Sequence, residues 1–156
     1  MEGKNQTSDW TKVSEVELIY KSKVKASERP RISDSRGAYA LLMFHWDLDK
    51  IELVEEFKVI FLNQANRVLG IFNVSSGGIT GTVADPRLIF SAALKACACN
   101  IMLAHSHPSG NLKPSRADEE LTNKFKNAGQ FLDIRVLDHL IVTKDQYFSF
   151  ADEGLL

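Results

Sequence analysis

Residues 101–118 read Ile101-Met102-Leu103-Ala104-His105-Ser106-His107-Pro108-Ser109-Gly110-Asn111-Leu112-Lys113-Pro114-Ser115-Arg116-Ala117-Asp118. The apolar run at the start reads as a buried strand. Side chains two apart on a strand share a face, so His105 and His107 point the same way. Pro108, Gly110 and Pro114 mark a turn. Ser115 then opens a helix, with Asp118 in its first turn. A strand that turns into a helix is the repeating unit of a layered α/β domain. The same stretch brings two imidazoles, a hydroxyl and a carboxylate towards one point. Two histidines and one carboxylate match the ligand count of a catalytic zinc site, whose fourth position is left for water.

Each of these residues also has an ordinary structural reading. Ser115-x-x-Asp118 before an amphipathic helix has the form of a capping box, with the acid near the helix's positive end. A single histidine at a strand end is commonly surface or satisfied core. Those readings leave the combination unexplained. Two in-phase histidines leave the strand, the chain reverses, and the acid lands one turn inside the next helix.

The stretch itself holds no general base. Glu52, Glu55 and Glu56 are the upstream candidates. Glu55 is in phase with Phe57, Val59 and Phe61, whereas Glu56 is in phase with Lys58 and Ile60. An acid aligned with the core-directed face is costly unless it has a purpose, which favours Glu55. An exposed acid at the strand start is the competing reading.

Outward from this centre the pattern continues to alternate. Glu15 to Lys25 alternates apolar and charged residues, predicting an edge strand with Val16, Leu18 and Tyr20 on one side. Ser33-Asp34-Ser35 supplies caps for a helix reaching about Trp46. Phe57–Leu62 and Val68–Val74 read as strands joined by the hairpin Asn63–Arg67, and Ser75-Ser76-Gly77-Gly78 as a second turn. Asp85-Pro86 opens a helix to about Cys99, apolar nearly all round and so predicted to be sandwiched. The Ser115 helix should run to about Ala128, with Gly129 ending it. Strands at Ile134–Val142 and Tyr147–Phe150 complete a single three-layer α/β domain with a mixed sheet flanked by helices. Residues 1–14 are expected to form a flexible tail and residues 15–156 the domain.

The 156 residues suffice for one core, with 44% hydrophobic and 25% charged residues. A net charge of −1 excludes a general polyanion binder. No apolar run could span a bilayer, the polar N-terminus lacks a signal-peptide core, and Cys97 and Cys99 are the only cysteines. A reduced, cytoplasmic setting is therefore expected.

His-Ser-His, seven intervening residues, Ser, two residues and Asp, with an upstream Glu, resembles the motif of the JAB/MPN (JAMM) metallopeptidases. His107-Pro108-Ser109-Gly110, Glu55-Glu56-Phe57, Leu62-Asn63, Asp85-Pro86-Arg87 and Asp138-His139 resemble its bacterial RadC branch. The resemblance covers roughly Val16 to the C-terminus. Ser106 departs from it, because the RadC branch usually has Asn there. RadC proteins also usually carry an N-terminal helix-hairpin-helix region, for which this sequence leaves no room. The resemblance implies a cytidine-deaminase-like fold, with zinc (Zn2+) on His105, His107 and Asp118. It further implies Glu55 as the group holding the attacking water and Ser115 as a hydrogen-bond partner of the tetrahedral intermediate. Peptide or isopeptide hydrolysis is the activity it implies.

A second reading, carried by the RadC resemblance and by Lys21, Lys23 and Lys25 on the proposed edge, is a nucleic-acid-associated repair or recombination protein with DNA or a repair protein as partner. A solvated edge explains the lysines equally. A purely structural zinc would be closed by four ligands rich in Cys, and none of that pattern is present. Cys97 and Cys99 read as packing residues on the Ala-rich helix. His139 reads either as a support for a metal ligand or as part of a polar pair on a half-buried strand.

Overall fold

The structure is a computed structural model that describes residues 10–17, 19–77 and 84–156. Among these the order is α1 (Ser35–His45), β1 (Glu56–Leu62), β2 (Val68–Ser76), α2 (Pro86–Lys95), β3 (Asn100–Ser106), α3 (Arg116–Phe131), β4 (Arg135–Val142) and β5 (Tyr147–Ser149). The strands form one sheet in the order β2-β1-β3-β4-β5. The β3–β4 pair is parallel and the other pairs are antiparallel, so the sheet is mixed.

Strand alternation sorts the core into two halves. Phe57, Val59, Phe61, Ile101 and Leu103 face Ile89, Phe90 and Ala93 of α2 and Phe125 of α3. Ile60, Leu62, Met102, Ala104, Leu140 and Val142 face Ala38 and Leu42 of α1, with Trp46 and Ile51 beyond it. The sheet is thus the middle of three layers, as the alternating pattern predicts. Each large apolar side chain so buried contributes roughly 1.5–3 kcal/mol. The helix starts are capped as the sequence implies: Asp34 accepts from Gly37 N at 2.7 Å, and Asp85 from Arg87 N at 2.9 Å with Pro86 following.

Several local expectations need correction. Glu15 to Lys25 forms no strand among its described residues, and Leu18 lies outside them. Tyr20 Oη donates to Leu69 O, so a side chain rather than a backbone ladder ties this segment to β2. Without a strand, the common face inferred for Lys21, Lys23 and Lys25 is lost. Ser75 and Ser76 belong to β2 rather than to a turn. The predicted tail at residues 1–14 falls largely outside the described residues.

The α2 helix ends at Lys95 instead of Cys99. Ala98 N bonds Ala93 O and Cys97 N bonds Leu94 O around a left-handed Cys97 (φ 55°). This is a Schellman closure without its usual glycine, which is why the sequence does not announce it. Cys97 is exposed rather than packed, and both cysteines are free. Leu88 and Leu94 are 49% and 52% exposed, so α2 has one solvated face and is not sandwiched.

Gly129 does not end α3 but lies inside it. A Cβ there would sit 2.2 Å from the backbone oxygen of Ile134, so the glycine permits the chain leaving the helix to fold back against it. Ile134 N bonds Gly129 O at 3.0 Å across this contact. Gly129→Ala is expected to destabilise the domain by about 1–3 kcal/mol through overpacking, lowering Tm by several degrees in a thermal melt. A Tm equal to the wild type would refute the close-approach account.

Candidate metal centre

Register places the first two groups. Phe57 of β1 pairs with His105 of β3. Continuing that antiparallel register by two residues sets Glu55, just before β1, across from His107, just after β3. His107 stays in line because its N–H donates to Val142 O at 3.1 Å. Glu55 is fixed by Gly77 N, which donates to Glu55 O at 2.7 Å. One carboxylate oxygen of Glu55 and one ring nitrogen each of His105 and His107 lie within 4.8 Å of one another.

The helix brings the fourth group. Gly110 turns the chain with φ 80°, its N–H bonding His107 O at 3.0 Å, and α3 then starts beside the histidines. Ser115 Oγ accepts from Asp118 N at 3.1 Å, and Asp118 Oδ2 accepts from Ser115 N at 2.7 Å, so the capping box is present. The same carboxylate faces both imidazoles: Oδ1 is 3.2 Å from His105 Nε2 and Oδ2 is 3.6 Å from His107 Nε2. The two Nε2 atoms are 3.0 Å apart. Asp118 and Glu55 thus reach the histidine pair from different elements. His105 is buried, while His107, Asp118 and Glu55 are half-buried and open to the surface.

The electrostatics follow from this crowding. Burial alone would raise the Asp118 carboxyl, but the imidazoles of His105 and His107 facing it and the Ser115 N–H hold it far below the usual carboxylate range. His107 is raised, chiefly by its hydrogen bond to Asp118. Glu55 is raised, chiefly by burial, with the two histidines pulling the other way. His139 is pushed well below the ordinary histidine value by complete burial.

This donor set fits a divalent transition metal. Two imidazole nitrogens and a carboxylate converge with access left for a further ligand. His107 Nδ1 donates to Asn111 O at 2.5 Å, which leaves its Nε2 lone pair facing the cluster. His105, His107, Asp118 and Glu55 are therefore brought together; Ser115 touches Asp118 alone of these, through the two bonds of the cap, which leave its hydroxyl proton unused. An open cleft of about 430 Å³ runs beside His107, lined by Glu52, Ser109, Lys144 and Asp145 among others. A cavity of about 440 Å³ next to Tyr20, Leu41 and Leu69 shares no residue with the cluster.

Three supporting residues escaped the sequence reading. Ser106 Oγ accepts from Glu56 N at 3.0 Å and donates to Val54 O at 3.4 Å, gripping the backbone on both sides of Glu55. Its position between two in-phase histidines, on the opposite face, was the available signal. Thr122 stands one turn after Asp118 and touches His139, and Asn111 holds His107. His139 itself reaches His105, its Nε2 lying 2.8 Å from His105 Nδ1.

Fold and cluster together define a three-layer α/β domain with a candidate metal centre at the carboxyl ends of its central parallel strands. Residues 32–155 match the RadC-like JAB domain family, and the chain belongs to it. A UPF0758 protein of Flavobacterium johnsoniae is 50% identical over 101 residues, covering 65% of this chain and 44% of that protein. One from Porphyromonas gingivalis is 44% identical over 139 residues, covering 86% of this chain and 60% of its own length. UPF0758 protein YfjY of Escherichia coli is 44% identical over 102 residues, covering 65% and 64%. The chain thus spans 44% to 64% of the length of these relatives. No helix among the described residues is long and apolar enough to cross a membrane.

A metal on these atoms competes with a proton for His107, and the hydrogen bond to Asp118 strengthens that histidine's hold on the proton. Because that histidine titrates above its ordinary value of about 6.5, the apparent metal affinity should fall on acidification already from near-neutral pH. For one displaced proton the slope approaches about tenfold per pH unit, measurable by chelator competition. An affinity flat between about pH 5 and 8 would contradict the assignment of His107.

Proposed function

We propose that this domain is a zinc-dependent hydrolase of the peptidase or isopeptidase type. One observation carries the reading: His105, His107 and Asp118 converge while the Glu55 carboxyl approaches from the opposite strand. Zinc bound there would supply a polarised water with a pKa near 7. His105, His107 and Asp118 would hold it. Glu55 takes the proton of the attacking water and hands it to the departing amine nitrogen, a task suited to a carboxyl raised by burial. Ser115 donates its spare hydroxyl proton to the developing oxyanion, beside the positive end of α3. The substrate chain lies in the cleft beside His107, between the Pro108–Gly110 turn and Thr143–Gln146.

The identity of the metal is part of the proposal, since two histidines and a carboxylate also suit non-haem iron. Metal analysis of the purified protein should give about one zinc per chain. Glu55→Gln should retain that zinc while hydrolysis of amide and isopeptide substrates falls by about 100-fold or more. Equal turnover by this variant would sink the mechanism. Ser115→Ala should slow turnover as well and, separately, cost about 0.5–2 kcal/mol of stability through the lost cap. A stability loss with unchanged kcat would confine Ser115 to capping.

A further inference from the structure

We propose that Thr122 and His139 form a buried relay that sets the tautomer of His105, making them positioning residues for the metal centre. The inference rests on the metal-centre reading above. Its direction follows from a group that cannot donate. The backbone carbonyl of Asp118 lies 2.7 Å from Thr122 Oγ1, and a carbonyl only accepts, so the single hydroxyl proton of Thr122 goes there. Thr122 Oγ1 then presents a lone pair to His139 Nδ1 at 2.6 Å, which must carry the hydrogen of that bond. His139 is wholly buried and, among the described residues, pairs with no carboxylate as His105 and His107 do, so it is a neutral imidazole. Its Nε2 is therefore bare and accepts from His105 Nδ1 at 2.8 Å. His105 is left with Nε2 unprotonated, and that atom is the one 3.2 Å from Asp118 and 3.0 Å from His107 Nε2.

The fold takes trouble to aim His139. Ile101 pairs with Val136 and Met102 with Asp138, so Leu137 is an extra residue in β4. Strict alternation from Val136, which faces α2 and α3, would turn His139 towards α1. The bulge reverses the parity and delivers His139 to the α3 side, a recurrent use of bulges beside functional sites. The ring is then held by stacking on Phe150 at 4.9 Å and by Phe57 at 5.8 Å. Asp118 stands at both ends: its carbonyl starts the relay and its carboxylate meets the nitrogen the relay exposes.

The test begins on metal-free protein. Long-range proton–nitrogen NMR of histidine-labelled wild type should show His105 protonated at Nδ1 and bare at Nε2. Protonation of His105 at Nε2 with Nδ1 bare would overturn the proposal, whether or not the protein binds zinc. Thr122→Val removes the acceptor for His139 while keeping the volume. It should give His105 a mixed tautomer population and weaken zinc binding by about 10–100-fold in chelator competition. Thr122→Ser should restore both, and His139→Phe should reproduce the Val phenotype in a protein still folded by circular dichroism. Val and Ser variants that lose affinity equally would mark a packing effect and defeat the relay. A wild type without zinc affinity, by contrast, would refute the proposed hydrolase and leave the tautomer measurement to decide the relay.

Discussion

The pairing of β1 with β3 in one register is the constraint on which the rest of the structure depends. It sets Phe57 against His105 and carries Glu55 to a position across from His107. A slip of one residue would turn Glu55 away and rotate every side chain of β1 to the other face. Yet β1 is buried on both sides, so hydrophobicity alone does not distinguish the faces. Lys58 does. Its ammonium reaches Asn73 Oδ1 at 2.6 Å and lies 4.8 Å from the ring centroid of Trp46, partners available only on the α1 side. In the slipped register the same charge would enter the aromatic core around Phe125 and Phe90, at a cost of several kcal/mol.

Ser106 adds a second polar lock on the same face. It joins Val54 O to Glu56 N, and so the backbone that carries Glu55 is anchored from behind while the carboxyl projects forward. The α1 layer therefore supplies the register and the backbone anchor. The α2 and α3 layer supplies the acid, the relay and the aromatic walls. This division explains why a site of four titratable side chains can sit against a hydrophobic core: its polar groups line one end of the sheet, where three of them reach the surface. The raised carboxyl of Glu55 is the remaining cost, and it is also what suits the group to proton transfer.

The sequence displayed the layers and the convergence of His105, His107 and Asp118 because period-two strands, a Pro/Gly turn and a capped helix are local signals. Strand parity likewise separated Glu55 from Glu56. What stayed hidden depends on non-local contacts. The end of α2 was unreadable because Cys97 takes the left-handed position normally marked by glycine. Gly129 looked like a helix stop, whereas its smallness serves a contact with Ile134, five residues further on but beyond the helix end. The alternation at Glu15 to Lys25 predicts a strand, but its described residues join no ladder, since periodicity defines faces and cannot create a partner. His139 was ambiguous for a similar reason. A one-residue bulge at Leu137 decides its face, and no residue type there announces it.

Asp118 resolves what first looks like a competition between two readings. As the N3 residue of the capping box it must accept from Ser115 N; as a metal ligand it must present an oxygen to the histidines. The cap directs Oδ2 towards Ser115, and Oδ1 is left aimed at His105. Capping therefore restricts the rotamer of the carboxylate before any cation arrives, reducing the ordering that binding would otherwise require. Its carbonyl is also fixed, as the acceptor of the Thr122 hydroxyl. The helix start consequently acts as a rigid bracket, with one residue joining the backbone cap, the imidazole pair and the buried chain behind it. For this reason the cap and the metal site are better regarded as one structure than as alternatives.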